Sequence, residues 1–144
     1  MKLVNKLSKQ VVRSASSRKE EKTLLVKSVV VRPVFFASSL LLREWLEANH
    51  TKEKELWVGF YKKGSGKPTV TIDEVIDQCL CFGWIDGFGK SIDEESYTNR
   101  ITPRNPKKSN WSQINIAKFQ KLSQAGVITP AGQAAYERWI DSTK

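Results

Sequence analysis

Between residues 72 and 80 the apolar positions recur with the period of a helix. Ile72, Val75, Ile76, Cys79 and Leu80 fall at i, i+3, i+4, i+7 and i+8 and form one inward stripe. Thr71 and Glu74 frame the start of this helix as a capping box, and Gly83 stands where a left-handed C-cap would close it. A second helix is predicted over 39–49. Ser38 is its N-cap, and Leu42, Trp45 and Leu46 face inward. His50 sits at its C-terminal end, where an imidazole suits the negative end of the helix dipole. Residues 55–62 alternate instead, with Leu56, Val58 and Phe60 on one side and Trp57, Gly59 and Tyr61 on the other. Both sides are largely apolar, so this strand is covered on each face or central in its sheet. Trp84–Lys90 and Ser96–Thr102 read as two strands of a hairpin joined by the polar run Ser91–Glu95, and Pro103 and Pro106 end it. Ser112 caps a helix over about 113–125, with Ile116, Phe119 and Leu122 inward and Gly126 as terminator. Thr129 and Pro130 open a last helix that turns Ala135 and Trp139 inward. The order predicts an α+β fold: a small, mainly antiparallel sheet of one strand plus a hairpin, packed by about four helices.

The start of the chain is patterned differently. Residues 24–36 are β-branched and carry Pro33, which suits an extended segment or edge strand leading into the domain. Residues 1–23 are rich in Lys and Ser, with no acid before Glu20, and Leu3, Val4, Leu7, Val11 and Val12 fall roughly on one helical face. The chain therefore divides into a basic N-terminal extension, residues 1–33, and a domain, residues 34–144. Two fates fit the composition of the extension. As a solvated tail it leaves the protein in the cytoplasm; as a transit peptide it sends the protein to an organelle.

Charge sharpens this division. The chain of 144 residues carries +9, but residues 1–35 hold nine basic and two acidic groups. The remaining fifteen basic and thirteen acidic groups give the domain only +2. Nucleic acid is thus a partner only through residues 1–33, helped by any exposed Trp. No apolar run approaches the ~20 residues of a membrane span. The two cysteines, Cys79 and Cys81, lie two apart on a predicted helix and point to different sides, so they do not bridge and suit a reducing compartment. Cys79 reads as a small core residue and Cys81 as a packed or partly exposed thiol. One histidine and no CxxC pair leave no expected metal site, cofactor or His-dependent triad.

Two stretches carry candidate chemistry. The loop Lys62–Pro68 is too short for a P-loop, and Pro68 follows its last Lys. Lys63, Gly64, Gly66 and Lys67 remain a weak anion-binding loop. In the hairpin, Trp84, Asp86 and Phe88 are expected to share one face. With Lys90 opposite Ser96, Asp86 faces Arg100, Trp84 faces Thr102 and Phe88 faces Thr98. Two readings stand side by side. In one, Asp86–Arg100 is a structural ion pair that sets register. In the other it lines a polar cleft with Trp84, Arg104, Trp111, Ser112 and Asn115 that takes a small anionic or planar ligand, because Arg, flat indoles and a helix N-terminus suit such a ligand. An enzyme would use Asp86 as acid or base in that cleft. No catalytic residue is assigned, and the balance leans away from an enzyme.

From about Val34 onward the order of motifs resembles the bacteriocin-protection family, also called YdeI/OmpD-associated. The resemblance rests on Phe35-Phe36-Ala37-Ser38, Trp45-Leu46-Glu47-Ala48-Asn49-His50, Lys62-Lys63-Gly64-Ser65-Gly66-Lys67-Pro68 and Leu80-Cys81-Phe82-Gly83-Trp84-Ile85-Asp86-Gly87. It continues through Asp93-Glu94-Glu95-Ser96-Tyr97, Arg100-Ile101-Thr102-Pro103-Arg104, Trp111-Ser112 with Asn115, and Thr129-Pro130-Ala131-Gly132. It implies a bacterial stress role, such as tolerance of bacteriocins or cationic peptides, exercised by binding a small ligand or a protein partner. It carries no reaction and no catalytic set. The chain departs from the pattern at Leu40 and Leu41, where first-turn acids are usual, and at Ile128, where Met is usual. Apolar surface at that helix start leads to the expectation that Val29–Val31 packs over Leu40 and Leu41.

Overall fold

The computed structural model describes residues 22–107 and 110–144. Along the described chain the elements are β1 (Leu24–Val26), β2 (Val29–Val31), β3 (Val34–Phe35), α1 (Ser39–Asn49), β4 (Leu56–Tyr61), a short 3-10 turn (Lys63–Ser65), α2 (Ile72–Phe82), β5 (Trp84–Asp93), β6 (Ser96–Pro103), α3 (Gln113–Gln124) and α4 (Pro130–Ser142). Four strands form a sheet in the order β3–β4–β6–β5, with β3 parallel to β4 and the other pairs antiparallel. The α+β expectation holds, and β4 is an inner strand as its two apolar faces required. β1 and β2 form a separate two-stranded hairpin, turned at Lys27 and Ser28, both at positive φ. That turn uses the twist-matched geometry of tight hairpins without the usual Asn or Gly.

Capping follows the sequence closely. Ser38 accepts from the Leu41 N–H, Ser112 from Asn115 and Thr129 from Gly132; Thr71 and Glu74 complete their reciprocal box. His50 ends α1, and its Nδ1 lies 2.8 Å from the Leu46 carbonyl oxygen, to which it donates. Gly83 closes α2 at φ 76°.

Helices α1 and α2 cover one face of the sheet. Leu42, Leu46, Val75 and Cys79 meet Val58, Phe60, Trp84 and Ile101 there, all of them buried. Ile72, expected on the inward stripe, is 37% exposed at the first turn of α2. Trp84 is 1% exposed and meets Trp45 edge-on at 5.9 Å. Helices α3 and α4 stack on the far side of α2, around Leu80, Trp111 and Phe119. Gly132 makes this possible, since a Cβ there would strike the carbonyl oxygen of Cys81. Thr129 locks the same junction by donating its hydroxyl to that oxygen at 2.6 Å.

Two expectations are corrected. The first concerns the hairpin of β5 and β6. The turn is only Glu94-Glu95, and β5 holds an extra residue at each of two bulges, between Asp86 and Gly89 and between Ser91 and Asp93. Trp84 therefore pairs with Pro103, and Asp86 with Ile101 rather than Arg100. A one-residue slip moves every partner to the other face of a strand. Phe88 falls within the first bulge and leaves the face of Trp84 and Asp86, meeting Trp57 on the opposite side at 6.0 Å. The second correction concerns the extension. Leu40 is 63% exposed and uncovered, while Val29–Val31 lie beside Trp45 and Asn49, toward the other end of α1. Val31 is the buried member of β2.

Candidate functional site

The seven residues proposed for one cleft divide between the two sides of the sheet. Trp84 is core. Arg100 stands on the open face, where its Nε donates to Glu55 at 2.7 Å. Asp86 is half-buried beside Ile101. The Asp86–Arg100 pair, and with it the acid–base cleft built on it, is not formed.

Arg104 and Trp111 do come together. The guanidinium lies 4.1 Å from the Trp111 ring centre, and one of its NH groups donates to the Asn110 carbonyl at 3.3 Å. Arg104 is only 5% exposed. Burial pushes its pKa down, while Cys79 and Asp86 nearby push it up. Trp111 is packed between Phe119, Tyr136 and Trp139, so both partners present their flat faces to the interior. Ser112 is occupied as the α3 cap, and the Asn115 backbone N–H is the donor it accepts. These four residues tie α3 and α4 to the end of β6, and the space left beside Arg104, between Pro106, Ala135, Arg138 and Trp139, is only about 10 Å³.

The glycine loop behaves likewise. Gly66 turns the chain at φ 72°, and Lys67 donates to Glu95 at 2.8 Å. Lys63 and Gly64 are exposed, with open space above Gly64. Lys67, the cation that would anchor an anion, is already neutralised by a carboxylate.

Nucleophiles are withheld from chemistry. Both cysteines are free and buried. Burial raises the thiol pKa of Cys79 and of Cys81, the latter opposed in part by a hydrogen bond from Arg43. A thiol in that condition is a packing group, not a thiolate. Among the described residues no three His, Cys, Asp or Glu side chains gather as a metal would need, and no helix is long and apolar enough to cross a membrane.

Among the described residues an open concavity lies elsewhere. Strand β3 covers only Val58 and Gly59 of β4, so Leu56 and Trp57 are left beyond its end. The β1–β2 hairpin leans over this gap. The result is a groove of about 430 Å³, with Val29, Val30 and Val31 as one wall and Trp45, Leu56 and Trp57 as the other. Asn49, Glu53, Glu55 and Arg32 form its polar rim. Outside the groove, Phe88 extends the apolar surface from Trp57, and Leu25 extends it from its ladder partner Val30. All of Leu25, Val29, Val30 and Phe88 are more than half exposed. Sequence reasoning missed this site because one wall is a hairpin whose Lys27-Ser28 turn carries no turn signature. The readable signal was Trp57, a large ring on the strand face opposite the core.

A protein family described as Domain of unknown function (DUF8412) matches residues 34–135. No curated protein and no solved structure matches the chain. The matched span starts at β3, so the groove has one wall inside the family domain and the other in the segment that precedes it.

Proposed function

The chain belongs to the family described as Domain of unknown function (DUF8412), and for this member we propose a binding role in bacterial stress tolerance of the bacteriocin-protection, YdeI/OmpD-associated kind. The groove between the β1–β2 hairpin and Trp57 is the observation that supports this reading most. Its walls are apolar and aromatic, its volume suits a few side chains, and its rim supplies hydrogen-bonding groups. Aromatic anchors in a part-open depression are where binding energy concentrates. Glu55 is already paired with Arg100, and Glu53 stands on the rim as an acceptor for a basic group carried by an apolar segment. The occupant in this reading is a short cationic, amphipathic stretch of a peptide or protein.

The test is a titration of the full-length protein with a short Lys- and Leu-containing amphipathic peptide, followed by Trp fluorescence and melting temperature. Binding raises the melting temperature with peptide concentration. Trp57→Ala, half-exposed and outside the core, is expected to fold and to lose that rise. An unchanged melting curve, or a rise that survives in Trp57→Ala, overturns the reading. A shift produced by anionic metabolites instead would move the ligand class to anions.

A further inference from the structure

A second built site lies on the open face of the sheet, between β4 and the β5–β6 turn. Gly59 leaves room for the ring of Phe35, since a Cβ there would lie 2.7 Å from it. Phe35 therefore stacks on Tyr61, with ring centres 4.5 Å apart and planes 25° apart. At the edge of this double ring stand the carboxylates of Asp93, the last residue of β5, and Glu95, within the tight turn. Beneath them is Ser96, fully buried, whose hydroxyl donates to Asp93 Oδ1 at 2.6 Å. Asp93 also accepts from the Glu95 N–H at 3.1 Å, so its orientation is set by its own turn.

This site holds an ammonium. Lys22 Nζ donates to Asp93 Oδ2 at 2.8 Å, to Glu95 Oε2 at 2.9 Å and to Ser96 Oγ at 3.2 Å, which uses all three of its donors. The same nitrogen lies 5.1 Å from the Tyr61 ring centre and 5.9 Å from that of Phe35, within cation–π range. Lys67 approaches Tyr61 at 4.8 Å and shares Glu95, so the site carries two cations against two carboxylates. Lys22 reaches it from outside the residues the family match covers, across more than seventy positions of sequence.

We propose that Phe35, Tyr61, Asp93, Glu95 and Ser96 form an alkylammonium-recognition site, that Lys22 is its ligand in cis, and that a lysine side chain of another polypeptide takes the same seat when Lys22 leaves. Two rings, two carboxylates and a buried hydroxyl converge on one nitrogen, which is more than an isolated surface ion pair needs. Lys22 is tethered a few residues from β1, so it competes at a high effective concentration and masks the site. A site masked nine-tenths of the time shows about one tenth of its intrinsic affinity.

The experiment uses the full chain and N-acetyl-lysine methylamide as probe, read by amide NMR shifts at residues 93–96 and ring shifts of Tyr61. Lys22→Ala is expected to bind the probe saturably, about tenfold more tightly than wild type. Adding Tyr61→Leu to Lys22→Ala should abolish the gain, and Lys22→Gln, which keeps the stem but not the charge, should reproduce it. Unequal response to spermidine and the lysine probe would separate a polyamine from a lysine side chain as the preferred source of the ammonium. No saturable shift in either Lys22 variant, or equal binding with and without Tyr61, overturns the proposal. Amide spectra of each variant report directly that it is folded.

Discussion

The two faces of the β3–β4–β6–β5 sheet are built from similar residues and do different things. The covered face joins Val58, Phe60, Trp84 and Ile101 to helices α1 and α2, and its large side chains are at most 1% exposed. The open face carries Trp57, Phe35, Tyr61 and Phe88 over the same strands. Aromatic content alone therefore does not distinguish core from binding surface. What separates them is company: aliphatic neighbours from two helices on one side, and Lys22, Lys67, Glu55, Asp93, Glu95 and Arg100 on the other.

Truncating the covered face should give the largest effect. Trp84→Ala removes a fully buried indole and its edge contact with Trp45. It is expected to cost about 4 kcal/mol in denaturant unfolding and leave little folded protein. Gly132→Ala comes next, at about 3 kcal/mol, because the added methyl meets backbone of α2 that has no rotamer to change. On the open face, Gly59→Ala should cost about 1–2 kcal/mol by displacing the flexible Phe35 ring. It should also release Lys22, visible as changed amide shifts at residues 93–96. Smallest of all is Arg100→Ala, expected to change stability by less than about 1 kcal/mol, since its partner Glu55 is solvent-exposed. If Arg100→Ala costs as much as Trp84→Ala, the contrast between the faces is wrong.

Acidity probes the open face alone. The hydrogen bond from Lys22, then that from Ser96, holds the Asp93 carboxyl down at about 2, from an ordinary 3.8. Glu95 is lowered chiefly by Lys67 and then by Lys22. For Lys22, burial pulls its pKa down but the hydrogen bonds to Asp93 and Glu95 outweigh it, so it ends above 10.5. Depressed carboxyl values mean stabilisation that is complete above the unfolded carboxyl range and is lost as pH falls through the folded values. A raised lysine value means stabilisation complete below 10.5 and lost as pH climbs past it. Hydrogen exchange in β1 and β2 should accordingly stay flat between about pH 5.5 and 9, after correction for intrinsic rates, and rise as pH falls below about 4. A rise centred near pH 6 would contradict the assignment.

Much of this architecture was readable in advance, for identifiable reasons. Caps depend on a few adjacent residues, so Ser38, Thr71, Ser112 and Thr129 were placed from sequence. The helix period placed Cys79 and Leu80 inward. Register was not readable, because a bulge is set by both strands together and no motif marks it. That single unread feature exchanged Arg100 for Ile101 as the partner of Asp86 and took the proposed cleft with it. Arg104 and Trp111, read from sequence as lining one ligand cleft, do lie together, but an arginine beside an indole reads the same in a pocket as in a helix junction. The groove was hidden for a different reason: Val29–Val31 and Trp57 are 26 residues or more apart, and only the fold brings them together.

The bulges in β5 have one more consequence. Among the described residues this strand is one edge of the sheet, ten residues long and mostly exposed. A flat edge of that length would offer a continuous template for a strand from another molecule. Two inserted residues break the repeat of its outward hydrogen-bonding groups and increase its twist. The irregularity that defeats a simple register thus makes this edge a poor template for a strand from another molecule. Deleting a residue at a bulge would straighten the edge and should make the protein form fibrils.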